Sequence, residues 1–98
     1  MNHKAIDPNG QELTPAKPTH PSVLLGEELE ERGIKPSAFA LQLGLYLNVI
    51  TELIKGKRNI SASLALKLEE SLGMPAGFWM RMQAHYELNT ERLKLVLP

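Results

Sequence analysis

The sequence predicts an all-α fold of five short helices, and three observations carry that prediction. Apolar residues recur at helical spacing along most of the chain. Pro21, Pro36 and Pro75, with Gly33, Gly44, Gly56 and Gly73, punctuate them as starts and stops of short helices. Between Ala40 and Leu53, a small residue, then Gly44, then the apolar pair Ile50 and Leu53 describe two helices bent around one glycine. That is the helix-turn-helix arrangement, which presents its second helix to the DNA major groove. Such punctuation leaves no room for a sheet of any size.

The elements divide into an extended N-terminal arm (1–20), a helical body (21–90) and a short C-terminal tail (91–98). The arm has no helical period and holds Pro8, Pro15 and Pro18, with Pro21 at its edge; Asp7-Pro8-Asn9-Gly10 is a turn sequence. Pro21 opens the first helix, in which Leu25 and Leu29 form an i,i+4 pair, and Gly33 closes it. Pro36 opens the second, with Phe39, Ala40 and Leu43 facing inward, and Gly44 closes it. The third runs from about Tyr46 to Lys55 and ends at Gly56, before an exposed loop Lys57-Arg58-Asn59. Ser61 caps a fourth helix carrying Leu64, Ala65, Leu68 and Leu72, stopped by Gly73. Pro75 opens a fifth, with Phe78, Trp79, Met82 and Tyr86 on its apolar side. In the tail, Leu93, Leu95 and Leu97 alternate. That pattern fits a short strand, and a frayed terminus fits it equally.

Ninety-eight residues support one domain with one modest core. The chain has no cysteine, so neither disulfides nor thiolate metal sites staple it, which suits a reducing cytoplasm. No apolar run approaches the ~20 residues a bilayer requires, and the polar N-terminus is unlike a secretion signal. A net charge of zero argues against a nucleic-acid coat held by bulk positive charge. The distribution is uneven, however: Glu27, Glu28, Glu30 and Glu31 cluster early, and Lys55, Lys57 and Arg58 cluster after the third helix.

An enzyme is disfavoured. The only aspartate is Asp7, and no Gly-rich phosphate loop follows a strand. His3, His20 and His85 are too scattered for a metal site, so no cofactor or metal is expected; His20-Pro21 reads instead as the lead-in to the first helix. The function classes left are binding modes.

Residues 20–87 carry a set of landmarks: His20-Pro21, Leu29-Glu-Glu-Arg-Gly33, Leu43-Gly44, Ala65-Leu-Lys-Leu-Glu69 and Leu72-Gly73. More specific are Ile50-Thr-Glu-Leu-Ile-Lys-Gly-Lys-Arg-Asn-Ile-Ser61 and Gly77-Phe-Trp79. In these residues the segment resembles the HigA-type antitoxins, a branch of the Xre and phage-repressor helix-turn-helix proteins. The resemblance implies a homodimer that binds double-stranded DNA at a palindromic operator and represses its own operon. It also implies neutralisation, by direct contact, of a HigB-type mRNA-cleaving toxin. A stand-alone Xre-type regulator without a toxin, and an interaction module with weakened DNA binding, are the alternatives.

On the expected recognition helix, Tyr46, Leu47, Asn48, Thr51 and Lys55 are placed to reach bases. Asn48 suits adenine N6 and N7, a contact worth ~1–3 kcal/mol of discrimination. Lys57 and Arg58 are expected phosphate contacts, and Ser37, near the start of the second helix, either bonds a phosphate or helps cap that helix. Relatives often carry Ser, Arg, Gln and Thr where this chain has Tyr46, Leu47, Asn48 and Val49; Lys35-Pro36 and Leu41 also depart from the pattern. Either a T-rich operator is read by shape, apolar contact and phosphate anchoring, or the face serves a protein. The intact motif and basic loop favour the former. Phe78, Trp79, Met82 and Tyr86 are expected mainly in the core, with a dimer interface as their functional alternative.

Overall fold

The structure, a computed structural model, describes residues 19–96 together with the backbone of Ala5–Ile6 and Glu12–Leu13. Five helices follow one another: α1 (Pro21–Glu31), α2 (Pro36–Leu43), α3 (Leu47–Ile54), α4 (Ala62–Leu72) and α5 (Ala76–Val96). The described part of the arm forms one antiparallel ladder, β1 (Ala5–Ile6) against β2 (Glu12–Leu13), with Ala5 opposite Leu13 and Ile6 opposite Glu12. The expected turn at Asp7–Gly10 lies outside the described residues.

The chain reversals are built from glycine. After α2, Gly44 takes φ 69°, and the N–H of Leu45 donates to the Ala40 carbonyl at 2.9 Å. This 6→1 bond satisfies a carbonyl that the helix end would otherwise orphan. The α1 and α3 ends repeat it, with Ile34 N–H to Leu29 O at 2.9 Å and Lys57 N–H to Glu52 O at 2.8 Å. At the α1 start, His20 is the N-cap: its Nδ1 accepts the Ser22 N–H at 3.1 Å. Ser61 Oγ caps α4 by accepting the Leu64 N–H at 3.2 Å.

The core gathers Leu25 and Leu29 of α1, Phe39, Ala40 and Leu43 of α2, Ile50 and Leu53 of α3 and the α4 row Leu64, Ala65, Leu68 and Leu72 around Trp79 of α5. Side chains also tie helix ends across the body. Arg32 Nη2 donates to the Leu72 carbonyl at 2.8 Å, and Lys67 Nζ donates to the Leu43 carbonyl at 3.2 Å. Glu69 Oε1 accepts the Ala76 N–H at 2.9 Å, so α4 caps α5. Basic groups therefore meet helix C-termini and an acid meets an N-terminus, the arrangement helix dipoles favour.

The expected tail strand is corrected: α5 continues through Val96, past the 90/91 boundary, as a helix of 21 residues. Three alternating leucines define no period against residues 78–96, which are free of Gly and Pro. Helix formers and the i,i+3 pair Lys94–Glu91, at 3.1 Å, carry the helix on. Leu93 is half-buried and Leu95 exposed, as opposite sides of a helix require. Leu97 lies outside the described residues.

Candidate nucleic-acid interface

Two buried side chains set the orientation of α3. Ile50 and Leu53 enter the core, so the opposite side of the helix, with Asn48, Glu52 and Lys55, faces outward. Tyr46 is the N-cap rather than the first helical residue, held extended at φ −71° and ψ 148° without a side-chain cap. Its ring is 82% exposed and Leu47 is 49% exposed, while Leu41 on the outer side of α2 is 84% exposed. Asn48 is exposed; Thr51 is half-buried, and its hydroxyl donates to the Asn48 carbonyl at 3.1 Å, leaving only lone pairs to offer outward.

Ser37 is exposed in the first turn of α2, behind Pro36, and its hydroxyl makes no cap: the N-cap is Lys35, without a side-chain bond. Nothing here supports the capping alternative. The first-turn N–H groups and the hydroxyl share one end of α2, a geometry that accepts anions.

The loop after α3 is held from behind. Gly56 takes φ 74° and sits so close to the start of α1 that a Cβ there would meet Ser22 Oγ at 3.3 Å. At the other end, the Ile60 N–H donates to Gln83 Oε1 at 2.9 Å, and Gln83 Nε2 donates to Glu87 Oε1 at 3.3 Å. Lys55 and Lys57 are exposed and form no ion pair among the described residues. Arg58, expected as a phosphate contact, carries an ion pair within the chain as well. Its Nε and Nη2 both donate to Glu52 Oε2, at 3.1 and 2.7 Å, across the glycine turn. Sequence reasoning passed over Glu52; its place one turn beyond Asn48, on the outward side, was the available signal.

The four α5 residues considered for a dimer interface separate. Trp79 is 0% exposed and offers no area to another chain. Phe78 meets the Trp79 ring edge-on with centroids 6.0 Å apart, and Tyr86 meets His20 in the same way at 4.8 Å. Phe78, Met82 and Tyr86 are half-buried within the chain itself. The sequence marks His20 as a lead-in, and the structure adds its role as a cap wedged between α1 and α5.

Among the described residues, no helix is long and apolar enough to cross a membrane. The fold and the outward helix define a helix-turn-helix protein. No protein-family model matches the chain. It is 31% identical over 97 residues to Virulence-associated protein I of Dichelobacter nodosus, covering 93% of this chain and 88% of that protein. It is 36% identical over 73 residues to Virulence-associated protein A′ of the same organism, covering 74% of this chain but 64% of that longer protein. Antitoxin HigA-1 of Vibrio cholerae is 36% identical over 62 residues, covering 63% of this chain and 58% of that protein. Among solved structures, PA4674 of Pseudomonas aeruginosa bound to its operator DNA superposes with a TM-score of 0.72 at 34% identity, covering 76% of this chain and 82% of that one. The Pseudomonas aeruginosa antitoxin HigA with the higBA promoter gives 0.71 at 29% identity, covering 84% and 97%. The chain belongs to the HigA-type antitoxin family of Xre helix-turn-helix proteins.

Proposed function

We propose that this chain is a sequence-specific DNA-binding repressor that binds a palindromic operator as a homodimer, represses its own operon and, as an antitoxin, neutralises a HigB-type toxin in the cytoplasm. One observation carries the DNA reading. The core contacts of Ile50 and Leu53 turn Asn48 and Lys55 outward, and Lys57 and Ser37, at the start of α2, are exposed as well. Relatives of the same fold are bound to operator and promoter DNA. In this reading Asn48 takes an adenine edge, Leu47 and Tyr46 pack on thymine methyls, Thr51 accepts from a base or its neighbour, and Ser37, Lys55, Lys57 and Arg58 hold phosphates. A dimer follows physically, because one such helix covers only a few base pairs and a second copy ~34 Å away roughly doubles the binding free energy.

The test is fluorescence anisotropy with a duplex spanning the chain's own promoter. Asn48→Ala should weaken binding by about tenfold, within the range for a bidentate base contact. Lys57→Ala should lower the log–log salt slope by ~1. Unchanged affinity in both variants overturns the DNA reading as assigned. The exposed Leu41 and Tyr46 favour one second reading, a protein-docking face, and that result would select it. The toxin part is tested by co-expression with the product of the adjacent open reading frame. Rescue of growth supports it, and a neighbour without toxicity leaves a stand-alone regulator.

A further inference from the structure

Glu52, paired with Arg58, is the outward residue that the functional reading leaves unused. Glu52 is a carboxylate on the DNA-facing side of α3, where the phosphate field repels it. A helix that only needed affinity would gain by losing it. Its geometry gives it another task. Glu52 Oε2 takes the side edge of the Arg58 guanidinium, Nε at 3.1 Å and Nη2 at 2.7 Å. The end-on edge, Nη1 with the second Nη2 hydrogen, carries no bond among the described residues, and the Arg58 side chain is 44% exposed. A guanidinium held by one edge presents the other as a fixed fork, which matches a phosphate or the O6/N7 pair of guanine bidentately. The clamp spans the turn at Gly56, whose φ of 74° and close approach to Ser22 fix where Arg58 leaves the helix.

Resting on the DNA-binding reading, we infer that Glu52 is a specificity-determining positioning residue: it aims the Arg58 fork at an acceptor pair on the cognate site and repels backbone phosphates elsewhere. The pair contributes little to folding, because ion pairs this exposed are screened by solvent. Its effect is on discrimination. Off the operator, the carboxylate cancels the arginine charge and lowers non-specific affinity. On the operator, the pre-set fork binds without first being ordered.

The experiment compares a promoter duplex with a scrambled duplex of equal composition, for wild type, Glu52→Ala, Glu52→Gln, Arg58→Ala and the Glu52→Ala/Arg58→Ala double variant. Circular dichroism confirms that each is folded. Glu52→Ala should weaken promoter binding by about tenfold, the scale of one bidentate contact, while tightening scrambled binding several-fold. Glu52→Gln, which keeps an acceptor, should restore part of the promoter affinity. In the Arg58→Ala background, Glu52→Ala should cause no further promoter loss. If Glu52→Ala tightens both duplexes, the carboxylate is merely repulsive; if it weakens both, the residue is structural. If Arg58→Ala leaves promoter binding intact, the fork is unused. Each of these overturns the inference and leaves the DNA reading standing. A wild-type chain that fails to prefer its promoter overturns the DNA reading itself.

Discussion

At the scale of single residues, the structure separates positions that fix backbone from positions that face outward. Gly44 is of the first kind. Its φ of 69° lies in the left-handed region, and the place where a Cβ would stand is open. Gly44→Ala therefore meets no steric wall, and its cost is conformational, about 1–2 kcal/mol, measurable as a lower urea midpoint at unchanged m. Gly56 adds crowding at 3.3 Å from Ser22 Oγ to a positive φ of 74°, so Gly56→Ala should cost more and disturb the basic loop as well. His20 is legible only in three dimensions. Its Nδ1 caps α1 and its ring meets Tyr86 at 4.8 Å, so His20→Ala should destabilise by roughly 1–2 kcal/mol in chemical denaturation. The sequence marks His20-Pro21 as a helix start, but histidine is an uncommon N-cap and nothing local announces the ring contact sixty-six residues away.

At the scale of elements, helix starts and stops were readable because Pro and Gly act locally. Pro21, Pro36 and Ser61 stand where the structure starts α1, α2 and α4, and Gly44 and Gly73 where it ends α2 and α4. The end of α5 is not legible in this way, since alternation over three leucines fits a strand or a frayed end as well as it fits the helix that runs to Val96. The Glu52–Arg58 pair is hidden for a related reason: a partner six residues back across a turn is invisible to i,i+4 reasoning. The loop Arg58 belongs to depends on α5. Gln83 is buried and accepts the Ile60 N–H at 2.9 Å, so Gln83→Leu leaves a buried donor without a partner. That change should cost about 1–3 kcal/mol and raise hydrogen exchange at Ile60 before it affects α1.

At the scale of the whole molecule, the core of the described residues is a single cluster to which all five helices contribute. Leu68 and Trp79, both 0% exposed, belong to it. Leu68→Ala should remove about 2–5 kcal/mol, a large part of the ~5–15 kcal/mol expected for a domain of ordinary stability. Trp79 is the only tryptophan, so its emission reports that loss directly, and a red shift coincident with the loss of helical ellipticity would mark one cooperative transition.

The division of α3 into two sides has a consequence for how such a protein changes its target. Ile50 and Leu53 answer to the core, whereas Asn48 and Lys55 answer only to whatever lies outside. The outward positions behave as a cassette that mutation can rewrite at small folding cost, letting duplicated copies drift apart in the operators they recognise. Glu52 and Arg58 are the constraint on that freedom. Bonded to each other, they must be exchanged together, so a transplant of one without the other leaves an unpaired charge on the outward surface.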